Sequence, residues 1–348
     1  MEARVVEGRF RGPQALTAED LPDFTVPHVW NAIKLNSQWA LVDCTCGSST
    51  NFVRGFRSYY FDPPPEQLAF SHLPTDPAWQ LSESPIDEEE FCALPVVCCD
   101  EFFGQRLKFP STCPPGTLML EGTNEAYVTL HVLERSAVHA TLDGEEGRCF
   151  QKREEDRVMV YCRVPEGGGD HKLEIYAMPA GAKCVNRPAA CSFRVLADPT
   201  FKGGLDCFPL VRYDVLRISG VAFVDDLPAG RLKVEGRNEV RLRLRAPPGV
   251  RGQAALSDSK GTTPAGVSTL VQRDGEDLVV VAVCPHGEFN LQISLRNRES
   301  ARFMHAVGFK LSVDPGCRLT VGPLPKIFTL FSELDCCIDT PLTGCLPP

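Results

Sequence analysis

The sequence predicts a mainly β protein, on the evidence of short strand-like runs, few amphipathic helices and an internal repeat. The runs alternate between polar and apolar residues or are wholly apolar, and clusters of Gly, Pro and Asp separate them. This pattern is typical of antiparallel β-sandwiches. The runs include AYVTLHVL, RVMVYCRV, HKLEIYAM, EVRLRLRA, LVVVAVC and FNLQISLR.

The β-rich part of the chain repeats itself. The segment Glu125–Arg148 aligns with Glu239–Thr262, and Gly169–Met178 aligns with His286–Arg296. Both alignments have an offset of about 115 residues, and a unit of ~100 residues with about seven short strands has the size of an immunoglobulin-like sandwich.

We therefore predict one β-sandwich over residues 91–200 and a second over residues 201–316. The run PLPKIFTLF at Pro323–Phe331 is similar to LPVVCCDEFF at the start of the first unit. We therefore predict a tail at residues 317–348, in which a third repeat could begin.

Charge and hydropathy exclude several kinds of partner. The chain of 348 residues has a net charge of −9, which argues against nucleic acid or an anionic membrane as the main partner. No apolar run approaches the ~20 residues that span a bilayer, and the first residues, MEARVVEGRFRG, lack the apolar core of a signal peptide. If Met1 is the true start, we expect a cytoplasmic protein.

The sixteen cysteines have irregular spacings and include adjacent pairs at Cys98-Cys99 and Cys336-Cys337. We interpret them mainly as buried reduced thiols, which behave as small hydrophobic residues. No CxxC pair occurs, so we expect no metal site and no cofactor. An extracellular adhesion protein linked by disulfides remains an alternative.

The run EVRLRLRA would place three arginines on one face of a strand and three apolar residues on the other. A basic stripe for an acidic partner is one interpretation. We favour the other, a solvated face that protects the strand from aggregation, because the chain as a whole is acidic. The arginines are Arg241, Arg243 and Arg245.

The stretch PHVWNAIKLNSQWALVDCTCG predicts a hairpin with Asn36 and Ser37 as its two-residue turn. Asp43 then lies opposite Trp30, and His28 shares the face of Trp30 as a diagonal neighbour of Asp43. This spacing suits a carboxylate that fixes the tautomer of a histidine. A structural hydrogen bond is the alternative.

Two cysteines follow Asp43 in this stretch, and we place both on the continuing strand. Cys44 should face away from Asp43, and Cys46 should lie near the strand end. An approach of Cys46 to His28 across the hairpin is an alternative, but neither cysteine is expected to replace the catalytic one.

The hairpin resembles the transglutaminase-like core of the kyphoscoliosis peptidase-like family, in which a His-x-Trp-Asn strand turns back into a strand ending Val-Asp-x-Thr. The segment YYFDPPPEQLAFSHLPTDPAWQL (Tyr59–Leu81) is similar to the Pro-rich segment that follows this core, and the repeated β-units resemble the family's C-terminal region. The resemblance implies that His28 and Asp43 match the catalytic histidine and aspartate.

The family's nucleophilic cysteine lies upstream of this histidine, at the start of a buried helix, and residues 1–27 contain no cysteine. We therefore expect residues 1–90 to form the β part of a partial transglutaminase-like α+β domain that lacks its N-terminal helix. A Cys/His enzyme needs the thiolate as its nucleophile, so His28 and Asp43 are expected to be vestigial.

The resemblance implies a role in protein binding or scaffolding, with a cytoskeletal setting and protein partners. The alternative is an active cysteine peptidase or transglutaminase-type enzyme whose nucleophile-bearing N-terminal segment is missing from this chain. We expect no thiol-dependent hydrolysis or crosslinking by residues 1–348 themselves.

Overall fold

The structure, a computed structural model, is mainly β, with 51% of residues in strands and 14% in helices. The predicted fold class is thus confirmed. The structure describes residues 2–12, 25–48, 56–132, 136–179, 188–200, 207–224, 228–235, 237–298, 300 and 302–317. Apart from Cys317, the predicted tail and its suggested third repeat lie outside these residues.

The N-terminal part of the chain forms a four-stranded antiparallel sheet in the order β3-β2-β1-β4. One face of the sheet packs on a small core that includes Val6, Trp30 and Tyr60. The strands are β1 (Ala3–Arg11), β2 (Thr25–Leu35), β3 (Gln38–Val42) and β4 (His72–Pro74), and the helical turns are α1 (Cys44–Gly47), α2 (Pro65–Leu68) and the 3₁₀ turns Ser58–Tyr60 and Pro77–Gln80.

The predicted hairpin turn is confirmed. Asn36 and Ser37 both have positive φ, at 49° and 71°, as a type I′ turn requires. Leu35 pairs with Gln38, which sets the register that the sequence predicted for β2 and β3.

A buried arginine joins this sheet to the segment that follows it. The guanidinium of Arg11 lies 4.5 Å from the centre of the Phe91 ring and donates hydrogen bonds to the carbonyl oxygens of Leu94 and Pro95. Phe91 is buried and belongs to helix α3 (Glu88–Ala93). The division of the chain at residues 90, 200 and 316 stays a prediction.

Two β-sandwiches follow, each with its own buried apolar core between two sheets. The first contains β5 (Val96–Val97), α4 (Cys99–Gly104), β6 (Thr117–Leu120), β7 (Glu125–His131), β8 (Ser136–Leu142), a 3₁₀ turn (Glu146–Arg148), β9 (Cys149–Glu154), β10 (Arg157–Arg163), β11 (Gly169–Pro179) and β12 (Cys191–Ala197). The second contains β13 (Leu210–Val211), α5 (Tyr213–Ser219), β14 (Ala222–Phe223), β15 (Arg231–Val234), β16 (Glu239–Arg245), β17 (Arg251–Ser257), β18 (Ser268–Asp274), β19 (Asp277–Val283), β20 (Gly287–Arg296) and β21 (Met304–Val313).

Among the described residues the two sandwiches share the same strand order, except that β14 is an additional edge strand of the second. The larger sheets run β5-β12-β11-β8 and β13-β21-β20-β17, and in each a further strand pairs in parallel, β6 with β12 and β15 with β21. The smaller sheets run β7-β10-β9 and β14-β16-β19-β18. The repeat seen in the sequence is therefore a repeat of structure.

The arginine stripe lies on β16 as predicted, with Val240 and Leu244 buried on the opposite face. Each arginine has an acidic partner within the same sandwich: Arg241 pairs with Glu239, Arg243 with Asp274 and Asp277, and Arg245 with Glu276 and Asp277. The preferred interpretation, a solvated face, agrees with these ion pairs.

Across the described part of the chain, every cysteine is a free thiol. No helix among the described residues is both long and apolar enough to cross a membrane.

Candidate functional site

Two histidines meet on one face of the N-terminal sheet. His28 of β2 lies opposite Gly8 of β1, and on its other side Gly8 lies opposite Pro74 of β4. Because alternate residues of a strand share a face, His28 and His72 project to the same side of the sheet. Their ring centroids are 5.7 Å apart.

Gly8 permits this close approach. A Cβ atom at position 8 would lie 2.2 Å from the carbonyl oxygen of Leu73 and 2.7 Å from the Trp30 ring. Any larger residue would therefore push β4, which carries His72, away from β1.

Asp43 lies directly after β3 and is the N-cap residue of α1. Its Oδ1 accepts a hydrogen bond of 2.9 Å from the backbone N–H of Cys46, and its Oδ2 lies 2.7 Å from Nε2 of His28. The diagonal neighbours that the hairpin register predicted are thus in direct contact.

The prediction that the strand continues through the two cysteines is wrong. The strand ends at Val42, and Cys44–Gly47 forms a helical turn instead. The physical reason is the side chain of Asp43, which accepts from the N–H of Cys46 and so stabilises the first turn of a helix. Cys44 is exposed, whereas the thiol of Cys46 turns toward the histidines.

His72 is the member of the site that the sequence did not predict. Its Nε2 lies 2.9 Å from Oδ2 of Asp43, its Nδ1 lies 2.8 Å from Oγ of Ser71, and its side chain is only 1% exposed. Strand β4 has three residues, too few for an alternating pattern to show which face His72 occupies. The one available signal was its place within the Tyr59–Leu81 segment of the family resemblance.

Hydrogen bonding keeps the carboxylate of Asp43 charged. Burial by itself would raise its pKa, but hydrogen bonds from His72, from the Cys46 N–H and from His28 outweigh burial and hold the pKa well below its usual range. His72 responds to burial in the opposite sense, because burial lowers its pKa and keeps the imidazole neutral.

Cys46 lies beside this pair, and its surroundings disfavour the thiolate. Burial raises the pKa of its thiol, and the hydrogen bond to Asp43 and the negative charge of that carboxylate raise it further. A cysteine nucleophile needs the reverse, a lowered pKa near positive charge. At neutral pH the Cys46 thiol is therefore protonated in the metal-free protein.

The site thus combines an oriented imidazole with a stable negative charge. The His28 side chain is 15% exposed, whereas Asp43 is 1% exposed, so the histidine faces the surface and the carboxylate lies behind it. This is the arrangement of a base and its orienting group. One donor atom from each of His28, Asp43, Cys46 and His72 also lies within 4.8 Å of the other three, which makes a compact set of possible metal ligands.

No family model matches this chain. It is 28% identical to kyphoscoliosis peptidase of Mus musculus over 329 residues, which is 90% of this chain and 45% of the relative. It is also 28% identical to kyphoscoliosis peptidase of Homo sapiens over 159 residues, or 43% of this chain and 23% of the relative. The relationship is distant, and the chain spans less than half the length of the curated relatives it matches.

Solved structures with some likeness include a chimeric titin Z1Z2 that carries a peptide from decorin. It is 14% identical, with a TM-score of 0.19, and the match covers 57% of this chain and 91% of that one. An I-band fragment of titin has a TM-score of 0.19 at 12% identity, covering 57% and 62% of the two chains. The sandwich assignment stands on the sheets of this chain themselves.

Proposed function

We propose that this chain, a distant relative of kyphoscoliosis peptidase, is a protein-binding scaffold whose transglutaminase-like segment performs no thiol chemistry of its own. The observation that carries the proposal is the state of Cys46. It is the cysteine that the described part of the chain brings to His28 and Asp43, and its pKa is raised rather than lowered. The His28–Asp43 pair is then vestigial in this chain.

The first sandwich offers a surface suited to a protein partner. Tyr127 on β7 is 61% exposed, and its ring lies 5.5 Å from that of Tyr161 on β10. The hydroxyl of Tyr161 contacts Sδ of Met159. Aromatic residues and methionine are enriched where proteins meet, and tyrosine is prominent among residues whose loss weakens binding.

The second sandwich does not repeat this surface, although its strands do. In the matching strand β16 the equivalent face carries Arg241 and Arg243, both ion-paired within the sandwich. The difference indicates that the strand pattern alone does not require an exposed tyrosine on β7. We infer that Tyr127 and Tyr161, which we call the tyrosine face, bind an apolar patch of a partner protein. The proposed setting is cytoplasmic, and the family resemblance implies an association with the cytoskeleton.

The test is a comparison of proteins crosslinked to the chain in cells. The variant replaces Tyr127 and Tyr161 with Ser, and the control replaces Met119 with Ser, because Met119 is 65% exposed on the other sheet of the same sandwich. We expect a defined set of partners to fall about tenfold or more in the tyrosine variant and to persist in the control. An unchanged set of partners in the tyrosine variant would contradict the tyrosine face.

A second candidate function rests on the 2.7 Å contact between His28 and Asp43. In this alternative, the chain is part of an active cysteine peptidase or transglutaminase-type enzyme, and a segment outside this sequence supplies the nucleophile. A transcript that encodes an upstream cysteine in the same frame, with activity that His28→Ala abolishes in the longer protein, would favour this candidate over the scaffold.

A further inference from the structure

Four possible metal ligands from three separate parts of the chain converge in the N-terminal unit. His28 comes from β2, Asp43 and Cys46 from the junction of β3 and α1, and His72 from β4. One donor atom of each lies within 4.8 Å of the others. We propose that this cluster binds one Zn²⁺ ion, with the two imidazoles, the carboxylate and the thiolate as its four ligands.

The donor set suits zinc. Imidazole nitrogen, thiolate sulfur and carboxylate oxygen are the three ligand types that Zn²⁺ uses, and four protein ligands complete a tetrahedral site. On binding, the Cys46 thiol releases its proton to solvent, and both imidazoles coordinate as neutral rings. Thiolate and carboxylate then supply two negative charges, which balance the charge of the ion at a site where Asp43 and His72 are each 1% exposed.

The spacing of the ligand atoms is close to what a tetrahedral ion requires. Ligands at the usual Zn–N, Zn–O and Zn–S distances lie roughly 3.3–3.8 Å from one another. In the metal-free arrangement Oδ2 of Asp43 lies 2.7 and 2.9 Å from the two Nε2 atoms, and one donor atom of each of the four residues lies within 4.8 Å of the other three. The separations therefore have to change by roughly an ångström to reach the zinc distances.

Outer hydrogen bonds of the kind found around zinc are already present. Oγ of Ser71 lies 2.8 Å from Nδ1 of His72 and 3.3 Å from the carbonyl oxygen of Leu68. With the His72 proton on Nδ1, the ring donates to Ser71, Ser71 donates to Leu68, and Nε2 presents its lone pair to the metal. In the metal-free protein the proton sits on Nε2 and is donated to Asp43 instead. Oδ1 of Asp43 is likewise held by the Cys46 N–H.

The site has an entry path and a structural consequence. His28 and Cys46 are partly exposed, so an ion can reach the cluster from the solvent next to these two side chains. Once bound, the ion would add a link among β4, β2 and the β3–α1 junction to the sheet pairing and the hydrogen bonds to Asp43 that already join them. The prediction of no metal site rested on local cysteine spacing, and a site assembled from distant residues leaves no such spacing.

The experiment uses the purified, reduced and metal-free chain, with Zn²⁺ and Co²⁺ as the probes. Co²⁺ in a tetrahedral site with a thiolate ligand gives a sulfur-to-metal charge-transfer band and intense visible bands. We compare the wild type with Cys46→Ser and with Cys44→Ser, whose exposed thiol lies outside the cluster. Far-UV circular dichroism establishes that each variant is folded.

We expect about one Co²⁺ per chain, displaced by Zn²⁺, with a charge-transfer band that disappears in Cys46→Ser and persists in Cys44→Ser. Zn²⁺ affinity should fall at least tenfold in Cys46→Ser. The proposal is overturned if the folded wild type binds no Zn²⁺ at micromolar concentrations, or if Cys46→Ser leaves the band unchanged. Neither result bears on the tyrosine face, which the crosslinking comparison tests separately.

Discussion

Nε2 of His72 lies 2.9 Å from Oδ2 of Asp43, although 29 residues separate the two along the chain. The contact places Asp43 between two imidazoles, with His28 on the other side. It makes the carboxylate the centre of the N-terminal unit, because the same side chain also caps α1. The stability of this unit should therefore depend strongly on Asp43.

Replacing Asp43 with Asn should destabilise the metal-free protein by roughly 2–3 kcal/mol, since an amide cannot accept charge-assisted hydrogen bonds from both imidazoles. Asp76→Asn is the matched control, because Asp76 also caps a helical turn but is exposed. Asn is as good a cap as Asp, so the control should change stability by less than about 0.5 kcal/mol. Urea unfolding measures both changes in the free energy of unfolding. Equal changes for Asp43→Asn and Asp76→Asn would mean that Asp43 acts only as a helix cap and that its hydrogen bonds to the imidazoles add no stability.

His72 should make the metal-free protein less stable in mild acid. Burial lowers its pKa, so below about pH 6.5 the unfolded chain takes up a proton at this position that the folded chain does not. Stability therefore falls as the pH drops through this window, whereas Asp43 contributes a further loss only below about pH 4.

The measurement is the free energy of unfolding against pH, with a chelator present. In His72→Gln the slope between about pH 5 and 6.5 should be shallower by about one proton, or about 1.4 kcal/mol per pH unit. The control His305→Gln changes an exposed histidine and should keep the wild-type slope. A slope that is the same in His72→Gln and the wild type would mean that His72 is not held neutral.

Gly8→Ala should disrupt the pairing of β1 and β4, because the new methyl group would meet the Leu73 carbonyl oxygen at 2.2 Å. Overpacking of this kind costs typically ~1–3 kcal/mol, and here backbone must move. Gly104→Ala is the control, since a Cβ there has no atom within 4 Å. Thermal unfolding should show a clear loss for the first variant and none for the second; similar melting temperatures would contradict the close approach.

Much of the fold could be predicted from the sequence because its signals are local. The turn at Asn36 and Ser37 fixes the register of the hairpin, and that register places His28 beside Asp43. The repeat was visible because both sandwiches keep the same spacing of strands. The turn can be predicted from neighbouring residues, and the repeat can be predicted by comparing two segments of the sequence.

The rest of the site depends on long-range packing. His72 reaches Asp43 only because β4 pairs with β1 next to Gly8. A three-residue strand is too short for its sequence to predict which strand it pairs with. The position of Cys46 was mispredicted because the N-cap role of Asp43 overrode the strand pattern. The first error concerns how separate segments meet, which periodicity does not encode. The second is a local competition, in which a side-chain cap outweighs the strand pattern.

In the proposed scaffold, the His28–Asp43 pair does not activate a thiol within this chain. The most direct measurement is the rate of iodoacetamide alkylation at Cys46 and at Cys44, followed by peptide mass spectrometry at neutral pH with a chelator present. We predict that Cys46 reacts more slowly than Cys44, since burial and Asp43 raise its pKa, and that His28→Ala leaves its rate unchanged or faster. Faster alkylation of Cys46 than of Cys44, lost in His28→Ala, would contradict the account.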